Sequence, residues 1–237
     1  MTEKKRLIAL REKVDRRRFY PVDEAIALLK QTATAKFSES AEAAFRLGVD
    51  PKKNEHRIRG VASLPHGTGK TIRVLVFAKG DKITEAKEAG ADHVGGEDLA
   101  KQIEGGWFEF DQVVATPDMM AQVSKLGRVL GPRGLMPSPK TGTVTADVGR
   151  TVKELKGGRV DFRTDEYGIV HAIFGRCSFD VAALQENFLT LAAALLEARP
   201  ADIKGRYLRS VTLSATMGPG IKVDPDDLSR RVAQRQL

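Results

Sequence analysis

Few residues in this chain have both the type and the spacing that chemistry needs. Gly67-Thr68-Gly69-Lys70-Thr71 ends like a phosphate-binding loop. In G-x-x-x-x-G-K-[ST] the backbone N–H groups cradle phosphate, and the loop feeds a helix whose N-terminus adds positive potential. Here the first glycine of the motif would fall at Leu64, and the residues after Lys70 read as a strand. A connecting loop is the better account. The four histidines, His56, His66, His93 and His171, are far apart, and none has H-E-x-x-H or other metal-ligand spacing. The carboxylate pairs Glu97-Asp98 and Asp226-Asp227 lie beside polar or turn residues and read as solvated. The single cysteine, Cys177, rules out an internal disulfide, fits a reducing compartment, and reads as a small buried hydrophobe. No catalytic residue, metal site or cofactor is expected.

What remains is chemistry suited to nucleic acid. Residues 125–144, KLGRVLGPRGLMPSPKTGTV, hold four glycines, three prolines and the cations Lys125, Arg128, Arg133 and Lys140, and no carboxylate lies between Asp118 and Asp147. Glycine frees φ and proline fixes it, so a loop dense in both has a specified path. Within it, Gly131-Pro132-Arg133-Gly134 matches the G-x-x-G of an RNA-clamping KH loop, although Pro137 and Pro139 sit where a KH helix should continue. Lys36-Phe37 sets a cation beside an aromatic, with Ser38 and Ser40 following. That grouping offers a phosphate contact and a stacking face, while the pattern by itself favours Phe37 as an edge core residue. Met217 lies between turn residues beside Gly218 and Gly220, outside any period-two pattern. The net charge of +8 and pI of about 9.6 favour polyanionic partners. No apolar run approaches a membrane span, and the N-terminal residues 1–13 lack the apolar core of a secretory signal, so no membrane association is expected.

The elements that must position these residues fall into two characters. Residues 23–32 predict a helix with Val22, Ala25, Ile26 and Leu29 on one face. Residues 41–49 and 57–64 alternate with period two, as half-exposed antiparallel strands do. A continuous apolar strand over 71–78 then opens a run of helices (82–89, 98–104, 117–126, 147–155) and short strands (92–94, 112–115), the signature of a Rossmann-like α/β unit. Beyond Gly158 the spacing predicts a hairpin of 160–163 and 169–174, a helix over 179–197 capped by Ser178 with Val181, Leu184, Phe188, Leu191 and Leu195 as its core stripe, and strands over 206–214 and 221–223. The fold class is therefore mixed α/β and α+β: a discontinuous two-domain protein. A split antiparallel α+β domain (1–66 and 159–237) carries an inserted Rossmann-like three-layer α/β domain (67–158), with crossings near 65–69 and 155–159 as the hinge. Residues 67–158 hold 13 Lys+Arg against 12 Asp+Glu, so +7 of the +8 lies on the split domain. Phosphate contacts dominate nucleic-acid affinity, which places RNA on that domain.

Three stretches resemble one family over essentially the whole chain: LGVDPKKNEHRIRGVASLPHGTGK (47–70), the 125–144 loop, and SVTLSATMGPGIKVD (210–224). They are similar to the bacterial large-subunit ribosomal protein one family, the rRNA-binding protein of the mobile stalk near the tRNA exit site. The resemblance implies a cytoplasmic, ribosomal, non-enzymatic protein that binds large-subunit stalk rRNA, takes part in release of deacylated exit-site tRNA, and represses translation by binding its own mRNA. It further implies a monomer outside the ribosome, with Lys36, Phe37, Ser40, Glu42, Arg163, Asp165, His171, Ser210, Thr216, Met217 and Gly218 contacting RNA. Met217 would pack on sugars and bases, Lys36 and Arg163 would neutralise phosphate, and Ser210 and Thr216 would bond 2′-hydroxyls or bases. Glu42 and Asp165 would accept from RNA donors or orient cations. Glu166 and Thr164 depart from the family pattern at the 164–168 turn, and the basic tail 228–237 is not a hallmark of the family. Its arginines would add nonspecific phosphate attraction.

Overall fold

The computed structural model describes residues 2–235, apart from the side chains of residues 2–4, 54 and 140. The elements in chain order are α1 (Thr2–Glu12), α2 (Val22–Thr32), β1 (Ser40–Leu47), β2 (Arg59–Ser63), β3 (Val74–Phe77), α3 (Asp81–Glu88), β4 (His93–Gly95), α4 (Glu97–Glu104) and β5 (Gln112–Ala115). After them come the short α5 (Met120–Val123) and α6 (Gly127–Leu130), then α7 (Val148–Lys156), β6 (Arg159–Arg163), β7 (Ile169–Arg176), α8 (Val181–Glu197), β8 (Leu208–Ala215), β9 (Ile221–Val223) and α9 (Pro225–Arg235). The chain forms two compact units. One runs to Gly69 and resumes at Val160; the other is Lys70–Arg159.

In the first unit a four-stranded sheet has the order β7-β1-β8-β9, with every pairing antiparallel. Alternation on β1 sends Ala41, Ala43, Phe45 and Leu47 inward, where they meet Val170, Ala172 and Phe174 of β7 and Val211, Leu213 and Ala215 of β8. Helices α2 and α8 seal that face with Ile26, Leu29, Leu184, Phe188, Leu191 and Leu195. The opposite face stays open. Across it run Glu42 opposite Ile173 and Ser214, Ala44 opposite His171 and Thr212, and Arg46 opposite Ile169 and Ser210. Strands β2 and β6 form a separate two-stranded sheet.

The second unit has a parallel sheet, β4-β3-β5, with β3 in the middle. The central β3 is buried on both faces, as parallel strands usually are, and β5 nearly so, while the edge strand β4 is half-buried. Val74 and Val76 pack toward α3 and α7 with Ala86, Val148, Val152 and Leu155. Leu75 and Phe77 pack on the other side with Ile103, Met119, Val123 and Leu130. Helix, sheet and helix make three layers.

Several local expectations are corrected. The strand over 71–78 is only Val74–Phe77, and the single helix over 117–126 breaks into alternating 3₁₀ and α turns. The turn of the 160–174 hairpin forms: the Asp165 N–H donates to the Ile169 carbonyl (2.8 Å), and Gly168 takes φ +73°, which a residue with a Cβ adopts only under strain. Its arms then separate, β6 pairing with β2 and β7 with β1. Helix α8 starts at Val181 after Asp180 rather than with a Ser178 cap, and Val181 is exposed instead of in the core stripe. The basic tail is helix α9, seated by Leu228 and Val232. Its Arg231 pairs with Asp23 and Asp227, so that guanidinium is already engaged. The last tail residues, Gln236 and Leu237, lie outside the described residues, as does Met1 of the N-terminal stretch.

Candidate nucleic-acid interface

A buried carboxylate organises the end of the open face nearest residue 40. Glu39 is 2% exposed. One of its oxygens accepts from the Ala35 N–H (2.8 Å) and the other from the Met217 N–H (2.8 Å). The loop before β1 and the loop after β8, 178 residues apart in sequence, are thereby held by one side chain. Backbone and hydroxyl bonds add to this: the Ser40 N–H donates to Thr216 Oγ1 (3.0 Å) and the Thr216 N–H to the Ser40 carbonyl (3.2 Å). The Arg176 guanidinium reaches the Ser38 carbonyl (3.0 Å) and Ser40 Oγ (3.3 Å). From α1, Arg6 donates to the Met217 carbonyl (3.2 Å) and to Thr34 Oγ1 (3.3 Å). Charge-assisted bonds to a buried acceptor are the stronger kind, so these loops are preorganised.

What the two loops display is exposed. Phe37 is 55% exposed and Met217 44%, and Lys36 beside Phe37 is exposed as well. The packing reading of Phe37 is thereby corrected: its ring faces solvent next to a cation. Gly218 fits tightly, since a Cβ there would lie 3.1 Å from that of Ala215, and its N–H closes the turn onto the Ala215 carbonyl (3.0 Å).

The structure thus brings together Lys36, Phe37, Ser40, Glu42, Thr216, Met217 and Gly218. His171 and Ser210 share the open face farther along β1, opposite Ala44 and Arg46. Asp165 is occupied in its turn, its Oδ1 accepting from the Tyr167 (2.8 Å) and Ile169 (2.7 Å) N–H groups. Its Oδ2 lies 3.8 Å from His171 Nε2. Arg163 is exposed at the end of β6, in the two-stranded sheet rather than beside Glu42. Sequence reasoning missed Glu39 and Arg6. A carboxylate two residues from an exposed phenylalanine carries no pattern that marks it as buried.

The phosphate-loop and KH-like readings both find other employment for their residues. Asn187, 0% exposed on α8, accepts from the His66 N–H (3.0 Å) and donates to the Gly67 and Phe174 carbonyls (2.9 Å each), which fixes the 65–69 loop. Lys70 donates to Asp111 (2.7 Å). This bond, with the Arg73 N–H and guanidinium, holds the Asp111 carboxyl down to about 2 against the opposing effect of burial. In the 125–144 loop, Arg133 stacks over Phe108, 3.5 Å from the ring centre. Pro137 and Thr143 are buried, and Arg159 donates to the Thr141 carbonyl. Lys125 and Arg128 are exposed there. The half-buried Cys177 thiol is pushed up to about 11, chiefly by burial and then by Glu39. Among the described residues, no group of three His, Cys, Asp or Glu side chains could hold a metal ion, and no helix is long and apolar enough to cross a membrane.

A model of the "Ribosomal protein L1p/L10e family" matches residues 29–219. The chain belongs to that family. A relative from Macrococcus caseolyticus (strain JCSC5402), named "Large ribosomal subunit protein uL1", is 57% identical over 217 residues, covering 92% of this chain and 94% of its own. Membership in the L1p/L10e family makes this a ribosomal protein, structural rather than enzymatic. The 29–219 match takes in both loops of the candidate interface.

Proposed function

We propose that this protein is a constituent of the large ribosomal subunit that binds folded stalk rRNA through the open sheet face and its two tied loops. The observation that carries the reading is the pair of loops locked by Glu39, which present an exposed aromatic, a lysine and a methionine on a rigid base. A folded RNA is recognised largely by shape, backbone and splayed bases, and such a surface offers a stacking plane and a phosphate contact at fixed spacing. Lys36, Phe37, Ser40, Glu42, Thr216, Met217 and Gly218 form the anchor, and His171 and Ser210 extend it along the face. Arg163 and Asp165 flank it. The RNA-binding domain is discontinuous, with the Rossmann-like insert between its halves.

The same anchor would accept a mimic of the rRNA in the protein's own mRNA, giving translational repression. The exposed Lys125 and Arg128 of the insert suit contact with exit-site tRNA during its release. The protein works in the cytoplasm on the ribosome, without a cofactor, and is a monomer away from it.

The test is binding of a stalk-region rRNA fragment across a salt series, against an unrelated hairpin of equal length. Selective binding that survives physiological salt is expected. Met217→Ala should weaken it by about 1–3 kcal/mol, the scale of one lost base contact, with the salt slope unchanged. Equal affinity for both RNAs, or a Met217→Ala variant that binds like the parent, would refute the assignment.

A further inference from the structure

A second aromatic-and-cation patch lies at the β9 edge of the same open face, past the Met217 loop that joins β8 to β9. Tyr20 forms a parallel bridge with Val223, its N–H donating to the Lys222 carbonyl (2.9 Å) while the Asp224 N–H donates to the Tyr20 carbonyl (2.9 Å). The segment before α2 thus runs along β9 and widens the sheet by one residue's pairing. Tyr20 turns inward and is buried, so alternation turns its neighbour Phe19 outward. Phe19 is 53% exposed, and the Lys222 ammonium lies 5.7 Å from its ring centre. Lys222 is itself outward, between the buried Ile221 and Val223.

Cations precede the ring. Arg16, Arg17 and Arg18 are all exposed. Arg18 is engaged, bonded to Glu24 (2.8 Å) and stacked on Tyr20. The Arg17 backbone is fixed by Asp15, whose Oδ1 accepts its N–H (2.8 Å), leaving the guanidinium to project. An exposed phenylalanine flanked by lysine and arginines satisfies no packing need of this fold. Lys222 lies opposite Thr212, Thr212 opposite Ala44 and Ala44 opposite His171, so the patch is continuous with the interface across the sheet. At about 4.8 Å per strand, the row from Lys222 to His171 spans about 14 Å.

We propose that this patch, Phe19 with Lys222, Arg16 and Arg17, is a second RNA contact. It stacks an unpaired base of the bound rRNA on Phe19 and neutralises the flanking phosphates. The inference rests on the RNA-binding reading above, and it extends the footprint from the anchor loops at the ends of β1 and β8 to the β9 edge of the face. A second grip gains affinity by effective concentration once the first is made.

The experiment uses the full chain with three variants: Phe19→Ala, the pair Arg16→Gln/Arg17→Gln, and Met217→Ala as reference. Each is titrated with the stalk-region rRNA fragment and with the unrelated hairpin over a salt series. Phe19→Ala should weaken the stalk RNA about tenfold with an unchanged salt slope and leave the hairpin unaffected. The arginine pair should lower the slope by about two. Wild-type affinity for Phe19→Ala beside a weakened Met217→Ala overturns the patch and leaves the anchor standing. A silent Met217→Ala beside a weakened Phe19→Ala overturns the anchor instead. Equal losses on both RNAs would make the patch a general polyanion attractor and overturn the stacked base.

Discussion

Glu39→Gln tests the idea that one buried carboxylate aims both recognition loops. The carboxylate has two acceptor oxygens, and each takes one backbone N–H, from Ala35 and from Met217, at 2.8 Å. Glutamine keeps one acceptor and turns the other position into a donor, so one of the two N–H groups would face an N–H. A bond to a charged acceptor contributes about 1.5–3 kcal/mol, and the surviving bond loses its charge assistance. Where the amide N–H₂ turns toward Met217, the seat of that exposed side chain is lost. Folding stability should fall by about 1–2 kcal/mol, read from a denaturant midpoint. Affinity for the stalk RNA should fall about tenfold with no change in salt slope, because Glu39 reaches no phosphate. The decisive assay is a double-mutant cycle. If Glu39 acts by positioning Met217, then Met217→Ala costs much less in the Glu39→Gln background than in the parent. Strictly additive losses, or a Glu39→Gln variant with parental affinity, would refute the positioning role.

Asn187→Ala leaves the His66 N–H and the Gly67 and Phe174 carbonyls without their partner. It should cost about 2–4 kcal/mol in urea unfolding. Asp111→Asn probes the acid limb. A carboxyl held down to about 2 when folded, against about 4 unfolded, supplies stability that is complete above pH 4 and lost as pH falls toward 2. The variant should be less stable than the parent at pH 7, by about 1 kcal/mol given the exposed Lys70 partner, and should converge with it near pH 2. Cys177, with a thiol near 11, should react with a disulfide reagent at pH 8 about a hundredfold more slowly than an ordinary exposed cysteine, and at the ordinary rate once the protein is unfolded in denaturant.

The parts of the fold legible in the sequence are those whose burial is one-sided or complete. The alternation of Ala41, Ala43, Phe45 and Leu47 marks β1, and the unbroken apolar run through Val74–Phe77 marks a strand covered on both faces. Helix α9 is hidden because only Pro225, Leu228 and Val232 are buried among residues that, apart from Ala233, are polar or charged and read as a solvated tail. The separated arms of the 160–174 hairpin are hidden too, since local spacing reports the turn but not which sheet each strand joins. At the site, Met217 and Lys36 stand out by type and by neighbouring glycine or aromatic. Glu39 and Arg6 do not, because each reaches a backbone atom of Met217, and pairing at a sequence distance of 178 or 211 leaves no local trace.

The place of β1 in the sheet order has a consequence for biosynthesis. It is paired on one side with β7 and on the other with β8, yet it is made long before either. At roughly 5–20 residues per second, the interval between completing Leu47 and reaching Leu208 is roughly ten to thirty seconds. Through that time an eight-residue strand with an apolar face has at least one open edge, the kind that invites pairing with another chain. The Lys70–Arg159 unit, contiguous in sequence, has all its strands in hand by Ala115 and can close first. The open sheet face is therefore completed only after the Lys70–Arg159 unit, and a chain terminated before Leu208 would emerge without it.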